Sequence, residues 1–271
     1  MVRSLWTAAT GMIAQQTNVD TIANNLANVN TTGYKRETAE FKTLLYQTIR
    51  GDSYDTNGQP KPVGVQVGLG VRNSAITSQF AQGSMQETNN KWDFAIEGNG
   101  MFRVQLPDGT YGYTRSGALQ MSVSSGGLTL CTSEGYPVMD INNVPIEVSG
   151  ELETSQIKVD DRGNLYYPDE NKNDQLMGIQ IALYQFNNPA GLNKLSGSIY
   201  QETAASGESL SESAGDTYSI SKIHQGYLEM SNVQVADEMV NMIIAQRAYE
   251  MNSKAITASD EMLQQANNLR K

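Results

Sequence analysis

The chain has 271 residues and a net charge of -10 at pH 7, from 19 Lys and Arg against 29 Asp and Glu. This length allows one large domain or two to three small ones, and the negative charge repels phosphate backbones and anionic lipid heads, so neither nucleic acid nor membrane insertion is expected. With one cysteine and one histidine, the chain forms no intrachain disulfide and lacks the ligand cluster of a zinc site.

A heptad pattern of apolar positions occupies the first thirty residues. Its members, with Gln15 as the polar one, are Leu5, Ala8, Met12, Gln15, Val19, Ile22, Leu26 and Val29. The pattern predicts a helix from Ser4 to Asn30, ended by Gly33 in the left-handed cap conformation. Polar residues interrupt the apolar ones throughout, so no cleaved secretory signal is expected, and no apolar run is long enough to span a membrane.

A connecting region follows this helix. The pattern from Glu37 to Ile49, with apolar Phe41, Leu44 and Leu45, predicts a short amphipathic helix. The next segment, 50–70, is rich in Gly, Pro and polar residues, and its prolines exclude helix. It ends in an alternation of apolar residues that favours a strand with one face on a surface: Val63, Val65, Val67, Leu69 and Val71.

The middle of the chain predicts a β domain, because short β patterns alternate with Gly-, Pro- and Asn-containing turns. The predicted strands are 94–96, 101–106, 111–120, 128–131, 136–139, 144–148, 156–159, 164–167 and 180–186. Residues 204–221 have the composition of a linker, which we expect to connect the β domain to the C-terminal helix.

The last forty residues predict a second long helix, opened by a capping box of Ser231 and Gln234. Two adjacent stripes run along it, which indicates a helix that contacts several neighbours at once. The first is Val235, Met239, Met242, Gln246, Tyr249, Ser253, Ile256, Asp260 and Leu263. The second is Val240, Ile244, Ala248, Met251, Ala255, Ala258, Met262, Ala266 and Leu269.

Residues suited to catalysis or metal binding are sparse. His224 is interpreted as a surface or packing residue in a loop, and Cys131 as a small buried hydrophobe. The acidic run 169–174 fails as a calcium loop, because Asp174 replaces the turn glycine and Gln180 the bidentate Glu. We therefore assign no catalytic, cofactor-binding or metal-ligating residue, and expect no cofactor and no enzymatic activity.

Both ends of the chain resemble one known family. The run Ala23–Lys35, AlaAsnAsnLeuAlaAsnValAsnThrThrGlyTyrLys, is similar to the N-terminal signature of flagellar axial proteins, which build rod and hook. The C-terminal element of the same family resembles three segments of this chain: 225–233, 241–243 and 246–250. Within that family, residues 3–12, 45–50 and 65–71 look like its distal-rod members.

The resemblance implies a structural subunit of the bacterial flagellar distal rod. Such a subunit is exported to the periplasm by the flagellar type III apparatus without a cleaved signal peptide, and it polymerises helically into a rigid shaft that transmits torque from motor to hook. Its implied partners are further copies of itself, proximal rod and hook subunits, basal-body ring proteins and the export apparatus. The alternatives are a hook or proximal rod subunit and, less in keeping with the residues, a rod-associated peptidoglycan hydrolase.

The predicted architecture is α+β with discontinuous domains: a coiled-coil-like layer of terminal helices (1–35 with 228–271), a connecting domain (36–92 with 196–227) and an inserted, mainly antiparallel β domain (93–195). Asparagines in the helical seams are expected to fix register between helices. The predicted assembly interface is Leu5, Met12, Val19, Ile22, Asn25, Leu26, Asn28, Val29, Met239, Met242, Tyr249, Ile256 and Leu263.

Overall fold

A computed structural model describes residues 2–50, 65–124, 127–149, 153–169, 173–214 and 220–269. The fold is α+β and divides into two compact units. The first, here the helical unit, comprises Met1–Ala27, Glu37–Thr77 and Gln234–Lys271, and the second, the β unit, comprises Asn28–Arg36 and Ser78–Val233. The chain therefore enters and leaves the helical unit repeatedly, as expected of discontinuous domains.

The helical unit contains both long helices, α1 (Val2–Ala27) and α2 (Val235–Asn268). Its strands are β1 (Glu37–Thr43), β2 (Tyr46–Arg50), β3 (Val65–Gly68) and β4 (Val71–Ser78). Strand β1 pairs with β4, and β2 pairs antiparallel with β3, with Tyr46 opposite Gly68. These two-stranded ribbons, with most side chains exposed, accompany the helices.

The two helices pack antiparallel within this unit. Ser4 Oγ lies 3.2 Å from Ser259 Oγ, and Asn25 Nδ2 lies 3.1 Å from Glu238 Oε2. Between these pairs, a Cβ on Gly11 would come within 2.8 Å of Asn252 Nδ2. These contacts are separated by multiples of seven residues on both helices, the repeat predicted for α1.

Small side chains line the contact between α1 and α2, since Ala8, Ala14 and Ala245 are buried there. Small residues allow two helix backbones to approach closely, and they leave the larger apolar residues of both helices for other faces.

The β unit is built from short strands, β5 to β20 in chain order. They are Met85–Glu87, Phe94–Glu97, Met101–Gln105, Tyr111–Thr114, Leu119–Ser124, Gly127–Thr132, Glu147–Val148, Lys158–Val159, Asn164–Pro168, Asp174–Gln180, Leu183–Gln185, Asn193–Lys194, Ile199–Gln201, Leu210–Ser211, Lys222–Gln225 and Tyr227–Glu229. Single turns of 3-10 helix occur at Thr154–Gln156, Pro189–Gly191 and Glu212–Ala214.

A six-stranded antiparallel sheet in the order β16-β17-β8-β7-β15-β18 forms the centre of the β unit. Two three-stranded sheets, β11-β10-β9 and β12-β13-β14, accompany it, with the pairs β19-β6 and β20-β5. The main core buries apolar side chains from several of these sheets, including Phe94, Phe102, Leu130, Ile157 and Ile181. The predicted mainly antiparallel β domain is confirmed.

The amphipathic helix predicted for Glu37–Ile49 is wrong, because this segment forms β1 and β2. Its sequence contains the β-branched residues Thr38, Thr43 and Thr48, and each strand finds a partner strand from 65–78. Such pairing overrides a weak helical pattern. The prolines Pro60 and Pro62, and Val63, lie outside the described residues, whereas Val65 to Val71 span β3 and the start of β4 as predicted.

The helix ends also differ from prediction. Helix α1 stops at Ala27, so Gly33, although left-handed with φ +67°, shapes the loop after the helix and is not its cap. Helix α2 begins at Val235 with no side-chain cap, because the Ser231 hydroxyl accepts a bond from Val233 N in the preceding bend. Acidic Asp237 and Glu238 in the first turn suit the positive end of the helix dipole.

Two further predictions need correction. The segment 204–214 is folded, because β18 joins the central sheet and Ser206 is buried; residues 215–219 lie outside the described part of the chain. His224 lies in β19 opposite Ala95 and not in a loop, and its Nε2 pairs with Glu97 Oε2 at 2.9 Å. Cys131 is buried as predicted, and burial raises the pKa of its thiol.

Candidate assembly surfaces

The residues predicted to form an assembly interface divide into buried, partly buried and exposed positions in the structure. On α1, Ile22 and Asn25 are buried. On α2, Met239 and Tyr249 remain 52% and 43% exposed. The partly buried remainder is Leu5, Met12, Val19, Leu26, Asn28, Val29, Met242, Ile256 and Leu263. The predicted set therefore mixes residues that pack α1 on α2 with residues that face outward.

A groove of about 380 Å³ joins some of these residues on the surface of the helical unit. Val19 of α1 and Tyr249 of α2 line it, with Gln16, Gln246 and Glu250. Its floor is the seam between the helices, and Tyr249 presents an aromatic ring with a polar tip beside it. A groove between two helices is a surface on which a third helix can pack.

The outward face of α2 is unusually apolar for a helix in a single chain. The exposed fractions are 55% for Val240, 61% for Ile244, 65% for Met251 and 50% for Met262. These positions belong to the second predicted stripe, whose spacing places them on one side of the helix. Helix α1 adds Trp6 and Ile13, one heptad apart and 69% and 63% exposed.

Trp6, Ile13 and Ile243 are absent from the predicted interface. The sequence does contain a signal for the first two, since they repeat at the same seven-residue interval as the seam, one position beyond Leu5 and Met12. Burial of each large apolar side chain is worth about 1.5 to 3 kcal/mol. Burial of the exposed apolar side chains of α1 and α2 would therefore contribute substantially to the free energy of association.

A buried ion cluster occupies the β unit. Glu229 Oε1 lies 2.7 Å from Lys35 Nζ, and its Oε2 lies 2.9 Å from Arg115 Nε, with all three side chains at most 3% exposed. Glu229 also accepts a bond from Gly83 N at 2.9 Å, and Lys35 Nζ donates to Ala81 O at 2.9 Å. The cluster joins the end of the N-terminal signature to the C-terminal element, a link that sequence reasoning missed.

The charge of Glu229 is maintained by its two cationic neighbours. Burial alone would raise the pKa of Glu229, but the charges of Arg115 and Lys35 outweigh burial and lower that pKa below its ordinary value. Burial also lowers the pKa of Lys35, and the attraction of Glu229 only partly opposes it. Because its carboxylate lies between two cations, Glu229 stays ionised, so the lowering of the Glu229 pKa prevails over the lowering of the Lys35 pKa.

Other chemistry is not evident in the described parts of the chain. Within those ranges no group of acidic, histidine and cysteine side chains is arranged to hold a metal ion. Among the same residues, neither α1 nor α2 is apolar enough over its length to cross a bilayer.

Comparisons with known protein families match three parts of the chain. Residues 5–35 match the family described as "Flagella basal body rod protein", and residues 224–269 match "Flagellar basal body rod FlgEFG protein C-terminal". Residues 95–167 match "Flagellar hook protein FlgE/F/G D1 domain". The two terminal matches cover the helices and the third falls within the β unit.

Whole-chain relatives agree with these matches. A protein of Borreliella burgdorferi named "Flagellar basal-body rod protein FlgG" is 46% identical over all of both chains. A relative with the same name from Agrobacterium fabrum is 42% identical over 96% of this chain and 97% of its own. A third, from Buchnera aphidicola, is 40% identical over 99% of this chain and 100% of its own.

Proposed function

The chain belongs to the family of flagellar basal-body rod proteins, and from this premise we propose that it polymerises helically into the distal rod as a rigid shaft that transmits torque from motor to hook. The relatives are rod proteins by name and share the whole length of the chain. Its role is structural, and its place is the flagellar basal body.

One observation supports polymerisation through the terminal helices. The apolar stripe of α2, Val240, Ile244, Met251 and Met262, is exposed in the single chain, as are Trp6 and Ile13 of α1. Exposed apolar side chains aligned along a helix are typical of an interface. Further copies of the same two helices would cover these side chains in the helical layer expected from the sequence.

Concentration-dependent assembly tests this function. Purified full-length chain is expected to sediment as large species above a threshold concentration and to give tubes in electron micrographs. A Gln265→Asp variant, which adds one charge at an exposed polar position of α2, is the control and is expected to assemble like the wild type. A wild-type chain that stays monomeric at all attainable concentrations contradicts the proposal.

The partners and the location of the chain are proposed from its membership of the rod-protein family. We propose that proximal rod subunits, hook subunits and basal-body ring proteins contact the polymer, and that the chain reaches the periplasm through the flagellar export apparatus with its N-terminus uncleaved. Mass measurement of the protein extracted from basal bodies tests retention of the first residues.

The structural role is preferred to an enzymatic one. The most deeply buried carboxylate of the β unit, Glu229, is occupied by Lys35 and Arg115, so it offers no base to a substrate. A hook or proximal rod subunit shares the terminal elements, but the relatives above are all named FlgG and match at least 96% of this chain. We therefore retain the distal rod.

A further inference from the structure

Trp6 and Ile13 expose large apolar side chains on one side of α1, and Ala9 lies between them on the same side. Their spacing of three and then four residues is that of neighbours on one helix face. We call Trp6, Ala9 and Ile13 the α1 stripe. Tryptophan is largely buried on average in folded proteins and is enriched among the residues that dominate interfaces. The α1 stripe is therefore a surface that suits a protein partner.

Helix α2 of the same unit carries an exposed stripe with the same spacing, which runs in the opposite direction. The members of this α2 stripe are Gln246, Ile243 and Met239. Because the two spacings match residue for residue, the α1 stripe can pack antiparallel on the α2 stripe. In that register Trp6 lies opposite Gln246, and Ile13 lies opposite Met239.

The groove on the helical unit is suited to the indole ring of Trp6. Gln246 lines this groove together with Val19 and Tyr249. Its volume of about 380 Å³ is within the range of sites that hold small ligands, so there is room for one aromatic side chain. Val19 and Tyr249 offer apolar and aromatic surface, and the amide oxygen of Gln246 offers an acceptor for the indole N–H, which is only a donor.

The tryptophan that reaches the groove belongs to a second copy of the chain. Within one chain Ser4 contacts Ser259, so Gln246 lies near the level of Thr17 on α1. Trp6 is about eleven residues from that level, which is roughly 16 Å along a helix that rises 1.5 Å per residue. A helix does not carry its own side chain across this distance, whereas a neighbour displaced by the same distance places its Trp6 at the groove.

Charge favours the same register. Arg3 lies one turn before Trp6 and is exposed. In the register above it comes beside Glu250, which lines the neighbour's groove. Within its own chain Glu250 pairs with Arg247 at 3.0 Å, and both side chains are more than half exposed, so that pair alone contributes little. A cation from a neighbouring copy therefore adds a favourable contact at the rim of the groove.

We propose that the α1 stripe of one copy packs antiparallel on the α2 stripe of the next copy, with Trp6 in the groove beside Tyr249. The contact joins two different surfaces, so it does not close on itself as the interface of a symmetric dimer does. The axial displacement of about 16 Å between successive copies makes the assembly an open helix and not a flat ring. This inference rests on the proposed function, since it assigns one contact through which the helical polymer grows.

Cysteine cross-linking in assembled polymers tests the register with Trp6 unaltered. The double variants Ala9→Cys/Ile243→Cys and Ile13→Cys/Met239→Cys are expected to give ladders of disulfide-linked multimers on mild oxidation, because each joins every copy to the next. The swapped double variants Ala9→Cys/Met239→Cys and Ile13→Cys/Ile243→Cys are the matched controls. They shift the two cysteines by about 6 Å along the helix, beyond disulfide geometry, and are expected to give no ladder. The native Cys131 is buried and stays in every variant.

The contribution of the groove contact is measured with Trp6→Ala. This variant is expected to raise the critical concentration for assembly about tenfold or more, because it removes the aromatic anchor of the interface. The matched control is Leu176→Ala, which shortens an exposed apolar side chain of the β unit and is expected to leave the critical concentration unchanged.

Three results would overturn this inference and leave polymerisation itself standing. They are ladders from the swapped variants as strong as those from the matched ones, no ladder from either matched variant, and an unchanged critical concentration for Trp6→Ala. A wild type that forms no polymer refutes the proposed function, and this contact with it.

Discussion

At the scale of single residues, the buried carboxylate of Glu229 is the centre of the ion cluster in the β unit. Its two cationic partners come from distant segments, with Lys35 in the loop after α1 and Arg115 in the segment after β8. Removal of one member of a buried ion cluster leaves the remaining charges uncompensated. The cluster thus fixes the N-terminal signature to the C-terminal element within one unit.

Glu229→Gln is expected to lower the free energy of unfolding of the β unit by roughly 3 to 5 kcal/mol, because Lys35 and Arg115 then lack a countercharge. Chemical denaturation with a tyrosine or tryptophan signal measures this loss. The control is Asp174→Asn, which breaks the exposed pair with Lys158, whose side chains are 62% and 43% exposed. That change is expected to cost about 1 kcal/mol or less, and equal losses in the two variants contradict the assignment.

The same residue predicts a pH dependence. The folded pKa of Glu229 lies below its ordinary value of 4.5, so the unfolded chain binds more protons in this range and stability rises with pH. This contribution is complete above the ordinary pKa and is lost as pH falls below it. Wild-type stability measured from pH 7 to pH 3 is expected to fall more steeply than that of Glu229→Gln. Parallel profiles are inconsistent with the ion cluster.

Gly33 allows a matched test of the loop after α1. It has φ +67°, and a Cβ there would lie 2.5 Å from Ser116 N. Gly109 has φ +80° but no atom within 4 Å of such a Cβ. Gly109→Ala is expected to cost only the left-handed strain, roughly 1 to 2 kcal/mol, while Gly33→Ala adds a backbone clash and costs more. Thermal unfolding of both variants measures the difference, and equal melting temperatures refute the clash.

At the scale of elements, the two faces of α2 have different roles. Glu238, Ala245 and Ser259 are buried against neighbours in the same chain, and they are separated by multiples of seven residues. Val240, Ile244 and Met251 repeat on another side and are exposed. The first face stabilises the folded chain, and the second is available for assembly.

Met251→Asp is therefore expected to leave the helicity and thermal stability of the soluble chain unchanged and to abolish its polymerisation. An unpaired carboxylate on a face that becomes buried carries a desolvation cost of several kcal/mol per contact. Sedimentation and circular dichroism measure the two properties separately. Ala245→Asp is the contrasting variant, expected to destabilise the soluble chain itself, because Ala245 is 1% exposed. Normal polymers of Met251→Asp mean that this face does not contact other copies.

The elements also show which parts of the fold were predictable from the sequence. Strong periodicity predicted α1 and α2, and turn chemistry predicted most strands of the β unit, since local patterns of this kind depend on few distant contacts. The segment Glu37–Ile49 was predicted incorrectly, because its strand pairing is decided by residues 65–78 and not by its own pattern. Residues 204–221 were predicted to be a linker from their composition, which contains no signal for the hydrogen bonds of Glu212 with Gln185 and Ser221.

The assembly surfaces were likewise predicted only in part, because the sequence shows local patterns and not distant contacts. The heptads identified the helices that meet, and their member Ile22 is buried, whereas the buried Asn25 lies one position before the heptad member Leu26. They did not identify the face of α2 that packs on α1, because its contact residues Glu238, Asn252 and Ser259 belong to neither predicted stripe. The Glu229 cluster brings together charges more than one hundred residues apart, for which no local pattern exists.

At the scale of the whole molecule, the architecture suits a subunit that polymerises through its ends. Both long helices lie in the helical unit, while the β unit has a core of its own. The exposed apolar side chains proposed for assembly therefore belong to a different unit from that core. The net charge of -10 favours solubility of the unassembled chain.

Electron cryo-microscopy of polymers grown from the purified full-length chain tests directly whether the chain polymerises through α1 and α2. We expect straight helical tubes in which Val240, Ile244 and Met251 of one copy are buried against α1 or α2 of its neighbours. Trp6 and Ile13 are expected to be buried in the same layer. Failure to polymerise at any concentration, or tubes whose copies contact one another through the β unit alone with these side chains exposed, would contradict it.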